Sequence, residues 1–548
     1  MKTILLSINA KYIHTNNAVR LLKANTDFRV EIMEYTIKDD IEDIVNAIES
    51  QNPDVLGFSV YIWNVSIIIK IIDKLNLPNT KFVLGGPEVS YDSAYLLINH
   101  NVDFIIRGEG EIAFNNLLHS LESNTNLDNI SNLMYLKEGK LINKGITEIS
   151  DLDALNLPYF MDKDVLHIPN KVSYIESSRG CPYKCSYCLS SLEKKVRFFD
   201  IENVKKAILY LMKHGSKTIK FLDRTFNANK NTLDLLSFII ENNNNKTVFQ
   251  FEITGDVLDQ KIIHHLNKYA PIGLFRFEIG IQSINYETNF LVDRFQNTEK
   301  LFENIKLIQE GNVIGLHLDL IAGLPKEDKI SFQKTFDEVF KLGAKELQLG
   351  FLKMLRGTKI RNEAGKYNYL YSEFPPYEII SNESISENDV KEIHLVEHML
   401  DIYHNKGYFG NHLLNYILST NSPFMFFKEI GDFYIKNDLS FKGYQIEDVY
   451  MRIFDFIQNE KVIYSLKKDY LNRSKIKPKI FWDNFIDKQE KRKIFEQLST
   501  ENKIDINVFY KHSAIINYDN EYYITVYKNL ENISYTIKDD INWYRLLI

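Results

Sequence analysis

The sequence predicts an α/β protein with two parallel sheets and a mostly helical C-terminal domain, and three features of the chain indicate this. Residues 1–125 alternate short apolar runs with helical patterns, which is typical of a doubly wound sheet. Residues 171–370 repeat the alternation in six strand–helix units, which predicts an open, partial (β/α)6 barrel. Residues 371–548 lose the alternation and follow mostly helical periods.

Five short apolar runs are the predicted strands of the first domain. Each run is followed by a loop that contains Gly, Asn or Ser, and helical patterns such as "DIEDIVNAIES" separate the runs. A flavodoxin- or Rossmann-like sheet of this kind binds its ligands at the carboxyl ends of the strands. The predicted strands cover residues 2–8, 29–35, 55–61, 81–86 and 103–110.

Six further runs are the predicted strands of the partial barrel. As in complete barrels, we expect the chemistry at their carboxyl ends. Residues 126–170 lie between the two domains and are expected to form a linker, because scattered Pro, Asp and Asn leave no sustained period before residue 171. The predicted barrel strands cover residues 171–177, 218–223, 248–254, 274–283, 315–323 and 346–354.

The C-terminal domain, residues 371–548, contains no motif that indicates a chemistry. Its aromatic-rich helical stretches, such as "SPFMFFKEIGDFYIKNDL", are more typical of a packed core than of a ligand site. Two runs near its end, residues 507–512 and 522–528, are candidate strands. The sequence therefore predicts an accessory or substrate domain here.

The bulk composition limits the class of protein. A formal net charge of −7 argues against a general surface for nucleic acid or anionic membranes. No apolar run approaches the roughly 18 residues of a membrane span, and the apolar N-terminus is too short for a signal peptide. The three cysteines cannot form a disulfide framework, which points to a reducing compartment. We expect a soluble, cytoplasmic protein.

All three cysteines lie in one stretch, "RGCPYKCSYCLSS", at Cys181, Cys185 and Cys188. Three thiolates on one loop after a strand can bind three irons of a four-iron cluster and leave the fourth iron open, as a catalytic metal site requires. A fourth ligand would have to be a His, a carboxylate or part of another chain. The alternative is a structural zinc with three cysteines and a histidine. Such sites usually use two separated pairs, and the next histidine, His214, lies at a predicted helix end.

This triplet resembles the motif of the radical S-adenosylmethionine (radical SAM) superfamily. In that family the three cysteines bind a [4Fe–4S] cluster, its open iron binds SAM, and one electron cleaves SAM to a 5′-deoxyadenosyl radical. The resemblance implies that Cys181, Cys185 and Cys188 hold the cluster and that Tyr187 lies near the adenine. It also implies an external one-electron reductant of the flavodoxin or ferredoxin type.

Polar residues at later predicted strand ends match the SAM-binding groups of this superfamily. The resemblance implies that main-chain acceptors near Asp223 and Arg224 receive the SAM amino group. It also implies that Gln282 and Arg294 hold SAM, with Glu252 as a further contact. A guanidinium suits the SAM carboxylate because it donates two parallel hydrogen bonds. Asp319 matches an acid that binds the ribose. Each of these residues alone would fit an ordinary structural role equally well. The assignment is supported by the order in which they occur together along the chain.

The domain that precedes the barrel resembles the cobalamin-binding radical SAM class, including members with a further C-terminal domain of unknown function. The resemblance implies that Ser59, Gly85 and Gly86 admit the nucleotide tail of cobalamin. The pattern Asp-x-His-x-x-Gly, whose histidine ligates cobalt in mutases, is missing. His14 is therefore expected to be a loop residue near the cleft, and a domain that binds no cobalamin stays open as an alternative.

The leading hypothesis is a cobalamin-dependent radical SAM enzyme that transfers a methyl group to an unactivated carbon of an unknown substrate. Ring contraction, cyclisation and other rearrangements occur in the same class. A methylthiolating RNA-modifying enzyme is an alternative, but that type uses three more cysteines, and the net acidity disfavours it. A non-catalytic iron–sulfur or corrin sensor is the second alternative.

Overall fold

The computed structural model describes residues 1–161, 164–193, 195–479, 486–528, 531–538 and 544–546. The chain divides into two compact units. The first contains residues 1–335 and 348–390, and the second contains residues 336–347 and 391–548. Within the described ranges, no helix has the length and apolar character that a membrane crossing needs.

The first sheet of the larger unit has seven strands in the order β2-β1-β3-β4-β5-β6-β7. Its first five strands pair in parallel, and β6 and β7 add an antiparallel hairpin at one edge. The strands are β1 (Thr3–Asn9), β2 (Val30–Thr36), β3 (Val55–Ser59), β4 (Lys81–Gly85), β5 (Phe104–Ile106), β6 (Leu133–Lys137) and β7 (Lys140–Asn143). The helices between them are α1 (Asn17–Ala24), α2 (Ile41–Gln51), α3 (Val65–Lys74), α4 (Ala94–Asn99) and α5 (Glu111–Glu122).

The doubly wound prediction is confirmed, since separate apolar clusters pack on the two faces of this sheet. Strand β1 is buried along its whole length, as expected for a central parallel strand covered by helices. The strand order reverses between β1 and β3, which creates the cleft where ligands of such sheets bind. Residues 126–170, expected to be a linker, include the hairpin β6–β7, so part of that segment belongs to the first sheet.

The second sheet is parallel and follows the chain order, β8-β11-β12-β13-β14-β15. A short antiparallel pair, β9–β10, follows its first strand. The strands are β8 (Ser173–Ile175), β9 (Ser178–Arg179), β10 (Arg197–Phe198), β11 (Thr218–Phe221), β12 (Val248–Ile253), β13 (Phe275–Gln282), β14 (Gly315–Ala322), β15 (Glu346–Phe351), and the later pair β16 (Leu370–Tyr371) and β17 (Ile379–Ser381). The helices are α6 (Ile201–Lys213), α7 (Thr232–Glu241), α8 (Gln260–Tyr269), α9 (Tyr286–Leu291), α10 (Thr298–Gly311), α11 (Lys329–Phe340) and α12 (Lys359–Asn362).

The open six-stranded sheet confirms the predicted partial barrel. Burial alternates along β12, β13 and β14, because successive side chains of a strand point to opposite faces. In β13, Phe275, Phe277, Ile279 and Ile281 are buried, while the residues between them are less buried and form the inner face. The inner face is thus polar and the outer face apolar.

The smaller unit is mostly helical, as predicted, and ends in a four-stranded antiparallel sheet. Residues 522–528 lie in a strand, but residues 507–512, predicted as a candidate strand, form a helix. The helices are α13 (Glu387–Leu400), α14 (Asn411–Leu418), α15 (Pro423–Lys436), α16 (Ile446–Ile457), α17 (Glu460–Arg473), α18 (Lys488–Asn502) and α19 (Ile506–His512). The strands are β18 (Ser513–Tyr518), β19 (Glu521–Lys528), β20 (Glu531–Lys538) and β21 (Tyr544–Leu546).

Candidate active site

The three cysteines lie on the loop that follows β9, near the carboxyl end of the first barrel strand. Gly180 opens the loop at φ +92°, and a Cβ there would lie 2.3 Å from the carbonyl oxygen of Lys195, so only glycine fits. The amide of Cys188 donates to the carbonyl of Cys185 at 3.0 Å. Cys185 is buried, whereas Cys181 and Cys188 are partly exposed. The loop therefore presents three thiols from one tight turn.

Main-chain hydrogen bonds fix this loop to later parts of the barrel. The amide of Ser186 donates to the carbonyl of Val292 at 2.9 Å, and the amide of Ile360 donates to the carbonyl of Ser186 at 3.0 Å. The Sγ atom of Cys181 lies 3.6 Å from Oγ1 of Thr225, after β11. The sheet thus holds the loop at several strand ends.

Asp223, after β11, supports the start of the cysteine loop. Its side chain is buried and accepts hydrogen bonds from the Ser177 amide at 2.9 Å, the Ser177 hydroxyl at 2.5 Å and the Ser178 hydroxyl at 2.6 Å. Burial raises the pKa of Asp223 to about 6, although these hydrogen bonds oppose the shift. Its carboxylate is directed at the loop. A contact with SAM at this position would therefore use the main chain, as the resemblance to the radical SAM superfamily implied.

Arg294 brings three of the predicted residues together. Its Nη1 atom lies 3.4 Å from the hydroxyl of Tyr187 and 3.9 Å from Sγ of Cys185. Its Nη2 atom donates to the carbonyl of Gly280, and its Nε atom donates to Gln296 at 3.0 Å. Burial would lower the pKa of Arg294, but the neighbouring Tyr187 and Cys185 outweigh it and raise the pKa. Burial also raises the pKa of the Cys185 thiol.

Gln282 is the last residue of β13, and Asp319 lies within the neighbouring strand β14, three residues before its end. Gln282 adopts φ +67°, and its Oε1 atom is buried without a hydrogen-bond partner in the described part of the chain. Gly280 makes room for it, since a Cβ there would lie 2.4 Å from Nε2 of Gln282. Asp319 pairs in register with Gly280, and its Oδ1 atom lies 3.1 Å from Nε2 of His317. Burial raises the pKa of Asp319, although His317 opposes the shift.

Glu252 lies deeper on the polar inner face of the barrel. It pairs in register with Glu278, which forms an ion pair with Lys220 at 2.9 Å. The Oε1 atom of Glu252 lies 3.8 Å from Nη1 of Arg224. Burial raises the pKa of Glu252, while Arg224 opposes the shift. A half-buried carboxylate whose nearest ion-pair partner lies 3.8 Å away can accept hydrogen bonds from a ligand.

The residues predicted to admit cobalamin lie at adjacent strand ends of the first sheet. Ser59 pairs in register with Gly85, and the Ser59 hydroxyl accepts a hydrogen bond from Asn16 at 2.7 Å. Gly86 adopts φ +118°, and a Cβ there would lie 2.4 Å from the carbonyl oxygen of Val60. A Cβ on Gly85 would have one neighbour within 4 Å, the carbonyl oxygen of Ile106 at 3.7 Å. The backbone at Gly85 is therefore accessible to a ligand beside Ser59.

His14 belongs to a segment that runs from the first sheet to the barrel. It forms an isolated bridge with Val172, and its Nδ1 atom lies 2.6 Å from the hydroxyl of Tyr174 on β8. Burial lowers the pKa of His14, and the neighbouring Lys11 and Lys220 act in the same direction. This position is the loop position that the sequence predicted.

Sequence reasoning missed a group of charges that joins the cysteine loop to the first domain. Arg179, two residues before Cys181, has side-chain contacts of 2.6 Å with Glu111, 3.0 Å with Glu176 and 3.3 Å with Glu109. Its side chain is only 9% exposed. Opposite charges in two stretches, "RGEGE" (107–111) after the fifth predicted strand and "SSRGC" (177–181) at the cysteine loop, were the signal that could have revealed it.

The residues present fit the groups that the sequence implies. Thiolates are the ligands of iron–sulfur clusters, and the buried, unpaired Oε1 atom of Gln282 beside Arg294 suits a polar ligand such as SAM. The accessible backbone at Gly85 suits a bulky ligand at the end of the first sheet. Among the described residues, no three His, Cys, Asp or Glu side chains converge as they would around a single metal ion. A cubane cluster differs, because each thiolate binds a different iron.

Comparison with curated proteins finds relatives at low identity. An uncharacterized methyltransferase of Pyrococcus horikoshii is 26% identical over 343 residues, covering 60% of this chain and 73% of that protein. The cobalamin-dependent radical SAM methyltransferase TokK of Streptomyces tokunonensis is 23% identical over 330 residues, covering 54% of this chain and 46% of that protein. The anaerobic magnesium-protoporphyrin IX monomethyl ester cyclase of Synechocystis is 26% identical over 258 residues, covering 44% of this chain and 49% of that protein.

Solved structures share the fold. The radical SAM methyltransferase TsrM of Kitasatospora setae, with cobalamin and a [4Fe–4S] cluster bound, has a TM-score of 0.56 at 17% identity, covering 69% of this chain and 79% of that chain. The cobalamin-dependent SAM radical enzyme OxsB, with aqua-cobalamin and SAM bound, has a TM-score of 0.59 at 14% identity. The match covers 92% of this chain and 81% of that chain. Both likenesses concern the fold.

Three family models divide the chain as the fold does. The B12 binding domain matches residues 5–118, the radical SAM superfamily matches residues 175–339, and a protein family of unknown function (DUF4080) matches residues 365–542. The chain thus combines a B12-binding domain, a radical SAM domain and a C-terminal DUF4080 domain, and it belongs to the cobalamin-dependent radical SAM family.

Proposed function

We propose that this protein is a radical SAM methyltransferase that uses cobalamin to methylate an unactivated carbon of its substrate. The observation that carries the proposal is the direct contact between the two cofactor domains. Arg179 on the cysteine loop lies 2.6 Å from Glu111 of the B12-binding domain. A methylation of this kind needs both cofactors close to one substrate carbon, and this contact supports such an arrangement. The names of the relatives from Pyrococcus and Streptomyces support methyl transfer.

The cofactors would supply the reactive chemistry when bound: the cluster and one SAM would provide a 5′-deoxyadenosyl radical, and cobalamin would pass on a methyl group taken from a second SAM. The protein contributes position and charge. Cys181, Cys185 and Cys188 would hold the cluster, while Arg294 and Gln282 would orient SAM beside it. Ser59 and Gly85 would receive the cobalamin tail, and the protein around the cofactors would exclude water from the substrate carbon.

Cyclisation is a second reaction that the same cofactors can support. The name of the cyclase relative from Synechocystis supports it as the second candidate function. A methylthiolating enzyme would need three more cysteines than the three in this chain. A non-catalytic sensor would leave the ordered groups around Arg294 without a use. The electron would come from an external flavodoxin or ferredoxin-like donor.

Deuterium labelling tests the methyl transfer directly. The anaerobically reconstituted protein, loaded with cobalamin, is incubated with reductant, a small-molecule extract of the source cells and SAM that carries a deuterated methyl group. We expect an extract component to gain the deuterated methyl group, as detected by mass spectrometry, and to gain none when all three cysteines are replaced by Ala. Formation of 5′-deoxyadenosine with no deuterated product would reject methyl transfer and favour cyclisation or rearrangement.

A further inference from the structure

Arg224, which follows Asp223 after β11, lies at the barrel mouth. Its Nη1 atom is 3.8 Å from Oε1 of Glu252 on the inner face of the barrel, and 57% of its side-chain surface is accessible. The contact with Glu252 places the side chain in the recess inside the barrel mouth and not on the outer surface. A residue in that position is available to a ligand.

The guanidinium of Arg224 has no hydrogen bond to any described residue. Its one ion pair, with Glu252, spans 3.8 Å, which is too long for a hydrogen bond. The other acids near the recess have their own arginines, since Glu176 lies 3.0 Å from Arg179, and Glu193 lies 3.7 Å from Arg197. The five N–H donors of Arg224 are therefore not committed to the protein.

The recess lies between the two predicted cofactor sites. Thr225, the residue after Arg224, has its Oγ1 atom 3.6 Å from Sγ of Cys181 on the cluster loop. On the other side, burial raises the pKa of Tyr61 while the charge of Arg224 opposes the shift, and Tyr61 lies two residues beyond Ser59 in the B12-binding domain. Under the proposed function, a substrate carbon must reach both cofactors. Arg224 lies where the rest of that substrate would be.

We propose that Arg224 binds an oxyanion of the substrate, a carboxylate or a phosphate. That the bound oxyanion belongs to the substrate rests on the proposed function. A guanidinium binds either anion through two parallel hydrogen bonds, and it does so most strongly where water is partly excluded. A charged group that is partly removed from water is stabilised by a hydrogen-bonded partner of opposite charge. No described residue gives Arg224 such a partner. SAM also carries a carboxylate, but Arg294 lies beside the cluster loop to receive it.

Chemical labelling tests this inference without any catalytic turnover. Phenylglyoxal reacts with accessible guanidinium groups, and peptide mass spectrometry follows Arg224 and Arg29 in the same sample. Arg29 is the control because its side chain is 88% exposed on the surface. The reconstituted protein is labelled when saturated with SAM, with and without millimolar inorganic phosphate or acetate as probes. SAM saturation is confirmed by the cluster's electron paramagnetic resonance signal.

We expect Arg224 to react in the SAM-saturated protein and to be protected several-fold by phosphate or acetate, while Arg29 reacts equally in every sample. Protection by phosphate alone would assign a phosphate group, and protection by acetate would assign a carboxylate. Loss of labelling on SAM addition alone would assign Arg224 to SAM and overturn the inference. Labelling that neither probe slows would show a merely hydrated guanidinium and would also overturn it.

Arg224→Gln and Arg224→Lys provide an independent measurement of the same point. We expect Arg224→Gln to leave the affinity for SAM and the uncoupled formation of 5′-deoxyadenosine within about twofold of wild type. A loss of about tenfold in SAM affinity would overturn the inference while leaving the proposed function intact. Failure of wild-type protein to form 5′-deoxyadenosine would instead reject the proposed function.

Discussion

Arg294 is the residue whose substitution should separate SAM binding from cluster binding. Arg294→Gln removes the guanidinium that lies beside Cys185 and Tyr187, so we expect SAM affinity to fall by about tenfold or more while the iron content stays near wild type. Arg294→Lys keeps the charge but loses the planar fork, so it should recover only part of the affinity. Equilibrium binding of SAM to reconstituted protein measures this, with Arg29→Gln as the surface control. Unchanged SAM affinity in Arg294→Gln would contradict the assignment.

Glu327 is a buried acid whose ionisation should make stability depend on pH. Its side chain is fully buried, and its Oε1 atom accepts hydrogen bonds from Ser283 at 2.5 Å and Thr335 at 3.0 Å. Its Oε2 atom has no hydrogen-bond partner within the described ranges. Burial raises the pKa of Glu327 from 4.5 to about 7, although the two hydroxyls oppose the shift.

Between these two pKa values the folded chain holds a proton that the unfolded chain has released, so the free energy of unfolding falls as the pH rises. Glu327→Gln stays neutral and keeps the accepting oxygen. We expect the variant to match wild type below pH 4.5 and to exceed it by about 3 kcal/mol above pH 7. Melting temperatures of the cluster-free protein across this range measure the effect. A constant offset between the two proteins would show that the acid does not titrate in this window.

At the scale of residues, the sequence predicted types and order but not partners. The cysteine spacing identified the loop, and the structure brings Tyr187 and Arg294 to Cys185. The orientation of the Asp223 carboxylate towards the hydroxyls of Ser177 and Ser178 depends on how the loop turns after β9. A one-dimensional pattern carries no information on that turn, so the role of this side chain required the structure.

Gly86 shows how one element shapes the predicted cobalamin slot. Gly86→Ala would force a Cβ to 2.4 Å from the Val60 carbonyl oxygen at φ +118°. We expect a loss of about 1–3 kcal/mol in stability and weaker binding of hydroxocobalamin, because the end of β4 must move. Absorbance titration and melting temperature measure the two effects.

Gly139→Ala is the matched control for that variant. Gly139 also has a positive φ, +74°, but a Cβ there would have no neighbour within 4 Å. It lies at the tip of the β6–β7 hairpin, away from the slot. We expect a smaller loss of stability and unchanged cobalamin binding. Equal effects of the two substitutions on cobalamin binding would remove Gly86 from the slot.

At the scale of elements, periodicity predicted the five parallel strands of the first sheet and all six strands of the second sheet to within a few residues. It was wrong for residues 507–512, which form α19. Asp505 caps that helix by accepting from the Asn507 amide at 2.8 Å, and Phe509 is its buried residue, so capping outweighed the aromatic content that suggested a strand. The β6–β7 hairpin was also missed. Its exposed Lys137 and Lys140 give it no apolar alternation at the turn.

Over the whole molecule, the ion pair between Arg179 and Glu111 couples the B12-binding domain to the cluster loop. Arg179→Met leaves Glu111 and Glu176 without their cation, so we expect the yield of iron per chain after reconstitution to fall several-fold. Glu111→Gln should have a smaller effect, because Glu176 still pairs with Arg179. The iron content of each variant is the measurement, with Arg29→Met as the surface control.

The double variant tests whether the two residues act together. Because each single change removes the same contact, the combined loss should be smaller than the sum of the single losses. Strictly additive losses would indicate that the contact between the domains contributes nothing to the loop. Sequence patterns predicted both domains but not this contact, since it joins residues 68 positions apart.

Formation of 5′-deoxyadenosine shows directly whether this protein cleaves SAM by one-electron reduction at its cysteine-bound cluster. Anaerobically reconstituted protein is mixed with SAM and a one-electron reductant, and the nucleoside is quantified by chromatography and mass spectrometry. We expect multiple turnovers in wild type and none in a variant with Ala at Cys181, Cys185 and Cys188. A wild-type protein that carries an intact four-iron cluster, binds SAM and still forms no 5′-deoxyadenosine would contradict this expectation.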